Sequence, residues 1–202
     1  MYTNFRAASI NPGFVLIMKI LSLAVPATAY IPSYAEALRE GHYCGADKLK
    51  NEEMVQKILK DPQGFLDDLL GPKPPTFINE LGEEIERVPQ QTMWLVEGKK
   101  FIGDAKIRHR LTPALEKSGG HIGYGVRPSC QGKGYATEML RFSLVWMRDN
   151  LKAERALLSC LSENIASARV MEKNGGVLID VTPHPYQPGK MQKRYWVPVP
   201  RT

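Results

Sequence analysis

Between a glycine-rich apolar stretch and a strongly patterned helix the chain reads Gln131-Gly132-Lys133-Gly134-Tyr135-Ala136, and this junction restricts the fold more than any other segment. Gly132 and Gly134 allow the backbone to turn and leave its surface bare. Consecutive amides and the start of a helix can then face one anionic group. Upstream, residues 119–126 read as a strand in which Gly119, Gly120, Gly123 and Gly125 permit close backbone approach, and Pro128 ends it. Downstream, residues 135–150 carry Ala136, Leu140, Ser143, Leu144 and Met147 on one helical face. Two familiar phosphate loops are excluded by inspection. A P-loop needs an earlier glycine and a Ser or Thr after the lysine, but Lys133 is followed by Gly134. A dinucleotide fingerprint needs a small residue where Thr137 stands. A pyrophosphate-sized anion fits the remaining pattern; plain turn punctuation is the other reading.

Around this junction the periodicity predicts an α/β (α+β) chain. The apolar run 14–25 is interrupted by Lys19 and is too short for a bilayer span, which needs about 20 apolar residues. Although Ala27-Thr28-Ala29 imitates a cleavage site, Ile20, Leu21, Leu23 and Val25 before Pro26 read as a buried first strand. Met18 then serves as a natural start, with 1–17 a disordered or non-native extension and 18–202 one domain. Helices are expected over 33–40, 47–60 and 62–70, the last capped by Asp61-Pro62. Residues 72–90 read as a Pro- and Glu-rich connecting loop. Residues 93–96 and 101–107 form a hairpin about Gly98, and 111–118 a polar loop. A strand at 156–161, a helix at 162–174 stopped by Gly175, and strands at 176–181 and 195–199 complete the chain.

Composition limits the partners. With 202 residues, 43% hydrophobic and 24% charged, the chain is long enough for one sizeable core. Lys and Arg number 27 against 21 acidic residues, a net +6 that suits an anionic ligand. Clusters such as Arg108-His109-Arg110 and residues 190–194 come without an aromatic platform or groove-reading motif, so no nucleic acid is expected. Cys44, Cys130 and Cys160 form no C-x-x-C pair, which argues for reduced thiols, a cytoplasmic location and no metal.

The chain resembles the GNAT superfamily of N-acetyltransferases. Gln131, Gly132, Gly134 and Ala136 occupy the family's [RQ]-x-x-G-x-G/A acetyl-CoA signature, and the segment from Asn164 through Ser167, Arg169, Val170, Glu172 and Lys173 to Gly175 follows in order as the family's N-x-x-S-x-R-V-x-E-K-x-G helix. The likeness covers about 92–182. It implies a central mixed, mostly antiparallel sheet flanked by helices with an N-terminal helical elaboration, acetyl-CoA as co-substrate, an amine acceptor, and room for a homodimer. By the same resemblance Gln131, Gly132, Lys133, Gly134, Tyr135 and Ala136 hold the pyrophosphate. Tyr124, Val126 and Arg127 line the pantetheine, Asn164 and Ser167 contact the arm or order a water, and Lys173 reaches a phosphate.

Transfer in this family is usually direct, so the enzyme mainly positions its substrates. An alkylamine with a reference pKa of about 10.4 must lose a proton, and the thiolate must gain one. Many family members place a tyrosine where this chain has Met171, which opens the question of the acid. Tyr195, Tyr186 and Ser167 are replacement candidates, and His121 is a candidate base because imidazole titrates near neutrality. Each has a plainer structural reading: capping for Asn164 and Ser167, packing for Tyr195, a hydrogen-bonded strand residue for His121, a solvated helix end for Lys173. Glu97 is read as turn chemistry and Cys130 as a small filler. The missing tyrosine also motivates the alternative of a catalytically silent acyl-CoA-binding module.

Overall fold

The computed structural model describes residues 20–42, 52–78 and 82–201. The extension 1–17, Met18, Lys19, Cys44 and the expected start of the second helix at 47 lie outside the described residues. The chain runs through β1 (Leu21–Ala24), α1 (Ile31–Arg39), α2 (Glu52–Lys60), α3 (Pro62–Leu70), β2 (Thr76–Ile78), β3 (Glu84–Glu86), β4 (Gln90–Glu97) and β5 (Lys100–Arg108). It continues through α4 (Pro113–Lys117), β6 (Ile122–Val126), α5 (Tyr135–Leu151), β7 (Arg155–Leu161), α6 (Ile165–Lys173), β8 (Val177–Pro183) and β9 (Met191–Pro198).

Local chemistry sets most of these boundaries. The Asp61 carboxylate accepts from the Gly64 amide at 2.9 Å, and Pro62 opens α3. Two segments read as loops contain structure. Within 72–90, residues 76–78 and 84–86 pair antiparallel as β2 and β3, and Thr76 donates to Glu84 at 2.8 Å. Residues 111–118 hold α4, capped by Thr112, whose hydroxyl accepts from the Leu115 amide, with Pro113 at its first turn. These pieces are three to five residues long, too short to carry an apolar period.

The expected central, mostly antiparallel sheet is divided into a four-stranded and a three-stranded sheet, and among the described residues every strand pair is antiparallel. Strands β1-β4-β5-β6 form one sheet and β7-β9-β8 the other. They meet at one end of β6, where the His121 amide donates to the Leu157 carbonyl at 2.7 Å and Gly120 bridges Leu158. A Cβ on Gly120 would run into the Leu157 carbonyl, so the joint depends on glycine. Beyond it β6 and β7 share no ladder, and a cleft opens between them.

The four-stranded sheet is covered on both faces. On one, Met93, Leu95, Ile102, Ala105 and Ile107 pack against Leu140, Leu144 and Met139 of α5. On the other, Trp94, Val96 and Phe101 meet Ile31, Tyr34 and Ala37 of α1, Ile58 of α2 and Leu66 of α3. Tyr34 stacks on Trp94 with ring centroids 4.7 Å apart, a pair worth roughly 0.5–1.5 kcal/mol beyond its burial. Among the described residues no helix is long and apolar enough to cross a membrane.

Candidate active site

The cleft between β6 and β7 is built by three neighbouring elements. At its mouth the loop 131–134 is exposed, with Gly132 at φ +74° and Gly134 at φ +84°. No heavy atom comes within 4 Å of where either Cβ would stand, so the backbone is bare as well as left-handed. Gly134 caps α5 without any side chain closing it. Among the described residues, the amides of Gly132, Lys133, Gly134, Tyr135 and Ala136 have no hydrogen-bond partner. Five donors at the start of a 17-residue helix make a site for a polyanion.

Side chains around the loop fix it in place. Gln131 donates to the Val126 carbonyl at 3.1 Å, tying loop to strand. Lys133 turns back onto the Ser129 carbonyl at 2.8 Å. Tyr135 reaches Glu97 at the end of β4 at 3.5 Å, and burial raises its phenol above the ordinary value. Cys130 is buried beneath the loop, as a filler should be.

Tyr124 and Ser167, expected to lie along the cofactor arm, come together: their hydroxyls are 2.9 Å apart across the cleft, joining β6 to α6. Burial pushes the Tyr124 phenol up to about 12, so it remains a neutral donor at physiological pH. Asn164 is exposed and caps α6, its Oδ1 accepting from the Ser167 amide at 3.0 Å. The capping reading of Asn164 is therefore realised, and its amide group stays at the cleft end of the helix. Lys173 is exposed in the last turn of α6.

Four other candidates have their side chains engaged elsewhere. The Arg127 guanidinium is buried, donating to Glu40 at 2.8 and 2.5 Å, to Glu36 at 3.2 Å and to the Ser33 hydroxyl at 3.0 Å. Its side chain fastens β6 to α1. His121 sits at the joint of the sheets, where its Nδ1 accepts from the Leu157 amide at 2.9 Å; burial lowers its pKa below 6.5. Tyr195 is 1% exposed in the core, donating to Glu172 at 3.0 Å, with its phenol raised to about 12 mainly by burial. Met171 is fully buried beside it. Tyr186 lies outside the cleft on the β8–β9 connection, its ring beside His184.

Residues that sequence reasoning missed come from α1 and β5. Glu40 accepts from both Arg127 and the Ser129 amide, and Arg127 holds its carboxyl down to about 2. His42, just past α1, pairs with Asp104 of β5 at 2.8 Å, both side chains buried. No local motif marks either pair, since their members are 87 and 62 residues apart. Among the described residues no group of three or more His, Cys, Asp or Glu could hold a metal.

The sequence profile of the acetyltransferase (GNAT) domain family matches residues 51–177. This chain belongs to the GNAT acetyltransferases. They are acetyl-CoA-dependent N-acetyltransferases. Solved structures agree in fold. The chain is 15% identical to RimL, a ribosomal L7/L12 alpha-N-protein acetyltransferase solved in complex with coenzyme A, over 89% of this chain and 94% of that one, with a TM-score of 0.54. It is 12% identical to a chimera of spermidine N-acetyltransferase SpeG from Vibrio cholerae and hSSAT, covering 88% and 95%, with a TM-score of 0.55. The self-immunity acetyltransferase MccE for microcin C7, solved with acetyl-CoA and AMP, is 14% identical over 94% and 98%, with a TM-score of 0.54. No curated protein sequence matches the chain significantly.

Proposed function

We propose that this GNAT acetyltransferase moves an acetyl group from acetyl-CoA to a primary amine by direct transfer in a ternary complex. The observation that carries the reading is the row of unpartnered amides from Gly132 to Ala136, opening α5 at the mouth of the cleft. That row suits a pyrophosphate, and the bare backbone at Gly132 and Gly134 leaves room for its oxygens. The pantetheine arm then follows β6 past Val126 toward Tyr124 and Ser167. The acceptor ammonium first loses a proton to a base or water; its nitrogen then attacks the acetyl carbonyl, the carbon–sulfur bond breaks, and the nitrogen sheds a second proton while the thiolate gains one. A β6 amide near Val126 serves the oxyanion, and the neutral Tyr124–Ser167 hydroxyl pair serves as donor to the departing thiolate. Asn164 holds the α6 end of the cleft.

The acceptor classes follow from RimL and SpeG, which act on a protein α-amine and on spermidine. A cytoplasmic location belongs to the same reading and rests on the free thiols of Cys130 and Cys160. Calorimetry with CoA, followed by thiol release from acetyl-CoA with spermidine and with a peptide bearing a free N-terminus, tests the proposal. Tight CoA binding with turnover on either amine is expected. Binding without turnover on any amine would replace it with the silent acyl-CoA-binding module.

A further inference from the structure

A buried imidazole–carboxylate pair is unexpected where a packed apolar face would be more stable, because two polar side chains must give up water. His42 Nε2 and Asp104 Oδ1 are 2.8 Å apart, with 2% and 7% of their side chains exposed. The imidazole stands edge-on to Phe101, ring centroids 5.1 Å apart, and its position is fixed because the His42 amide donates to the Ala37 carbonyl at the end of α1. Nothing in the cofactor cleft uses this pair.

Its place in the sheet gives it a role. Tyr124 and Val126 of β6 point to the α5 face, where they pack with Tyr135 and Met139. Strand alternation therefore turns positions 123 and 125 to the α1 face, and both are glycine. Asp104 lies directly across from Gly125, one residue before Val126. No side chain of β6 stands between the pair and the strand edge there, and Gly123 has no heavy atom within 4 Å of where its Cβ would be. If the cofactor arm takes the α5 and α6 side of β6, an acceptor meeting the same carbonyl must come from the α1 side, where His42 and Asp104 sit.

We propose that His42 is the proton-accepting residue for an alkylammonium acceptor, with Asp104 as its positioning residue. The inference rests on the acetyl-transfer reading above. Asp104 accepts from Nε2–H, which leaves Nδ1 to take the proton that the ammonium loses before its nitrogen attacks. Charged residues on the elements that carry the pair include Glu36 of α1, Glu40 just past it, Lys106 two positions beyond Asp104 on β5, and Arg127 just past β6. Arg127 is already neutralised by the two glutamates.

The test compares wild type with His42→Gln and Asp104→Asn, using spermidine and a peptide with a free N-terminus as acceptors. Both variants should still fold cooperatively, at a lower melting temperature than wild type because a buried pair is weakened, and CoA affinity should be preserved. At about pH 7, kcat/KM for the amine in His42→Gln should fall on the order of 10²-fold, carried mainly by kcat. Raising the pH toward about 9.5 supplies free amine from solution, so the deficit should shrink steadily. Asp104→Asn should show a smaller loss with the same pH pattern. An equal deficit at every pH, no deficit at all, or loss of the fold in both variants would reduce the pair to packing and overturn the proposal. A wild-type protein that binds CoA yet acetylates neither amine would overturn the acetyl-transfer reading itself, and this inference with it.

Discussion

The two faces of β6 are built on different principles. On the α5 side the loop 131–134, the helix it opens and the cap of α6 are formed by residues a few positions apart: Gln131 with Val126, Lys133 with Ser129, Asn164 with Ser167. On the α1 side the contacts join distant segments, Arg127 with Glu40 across 87 residues and His42 with Asp104 across 62. Anion binding needs only backbone arranged by local glycines, whereas a face that discriminates an acceptor needs side chains brought in from elsewhere. The local side should therefore break in binding and leave the fold intact, and the long-range side should break in stability.

The largest expected effect lies on the local side. Replacing Gly132 and Gly134 together by valine puts β-branched side chains at positive φ and fills the space above the amides. CoA affinity should fall at least a hundredfold, because charge-assisted hydrogen bonds worth about 1.5–3 kcal/mol each are lost. Far-UV circular dichroism should stay unchanged, since both positions are exposed. A folded double variant with wild-type affinity by calorimetry would remove the loop from the cofactor site.

On the opposite face, Arg127→Met should destabilise the protein by about 2–4 kcal/mol, because Glu40 and Glu36 lose a buried partner and the Ser33 hydroxyl loses a donor. Glu40→Gln keeps a hydrogen-bond acceptor for the Ser129 amide and should cost less, about 1–2 kcal/mol. Urea unfolding measures both. A larger loss in the loop variant than in Arg127→Met would mean that the two faces are not divided in this way.

This division also explains what the sequence disclosed. The glycine loop, α5 and α6 were legible because period and capping are local signals, and Asn164 followed by Gly175 marks both ends of a helix. The first strand at 21–24 was legible from its apolar residues before Pro26, although it is half-buried rather than buried and the flanking Ile20 and Val25 are exposed. Arg127 was expected beside the pantetheine because its neighbours in sequence lie at the cleft, but its side chain is engaged with Glu36, Glu40 and Ser33. Tyr195 and His121 were candidates by chemistry alone, and burial assigned them to the core and to the sheet joint. His42 and Asp104 carried no signal at all, for nothing in a strand or a helix end announces a partner 62 residues away.

Asn164 tests whether a local residue can serve both structure and function. Asn164→Ala removes the cap on the Ser167 amide and should cost about 1 kcal/mol. Asn164→Asp retains the accepting oxygen and suits the helix dipole, so stability should change little while the amide donor disappears. If that donor serves the cofactor arm or an ordered water, the Asp variant loses activity or CoA affinity by about 1–3 kcal/mol. Wild-type kinetics in the Asp variant would leave Asn164 as a cap only.

The smallest effect belongs to the joint between the sheets, where His121 must remain neutral for its Nδ1 to accept from the Leu157 amide. Burial lowers its pKa below the 6.5 of a free imidazole, and nearby Arg108 pushes in the same direction. In the unfolded chain the ring therefore binds a proton at a higher pH than in the folded one. Between those two values the unfolded state holds more protons, so stability rises with pH. The contribution of His121 is fully present above about 6.5 and is lost as pH falls through 6.5 to the lower folded value. His184, whose pKa burial also lowers, adds a second contribution of the same sign. His121→Asn separates the two, because its side-chain oxygen can still accept from the Leu157 amide but does not titrate. Melting temperatures measured from pH 8 down to about pH 5 should fall less steeply in this variant than in wild type. Parallel curves would show that the joint is held by the Leu157 carbonyl and Gly120 alone, and that the imidazole is replaceable there.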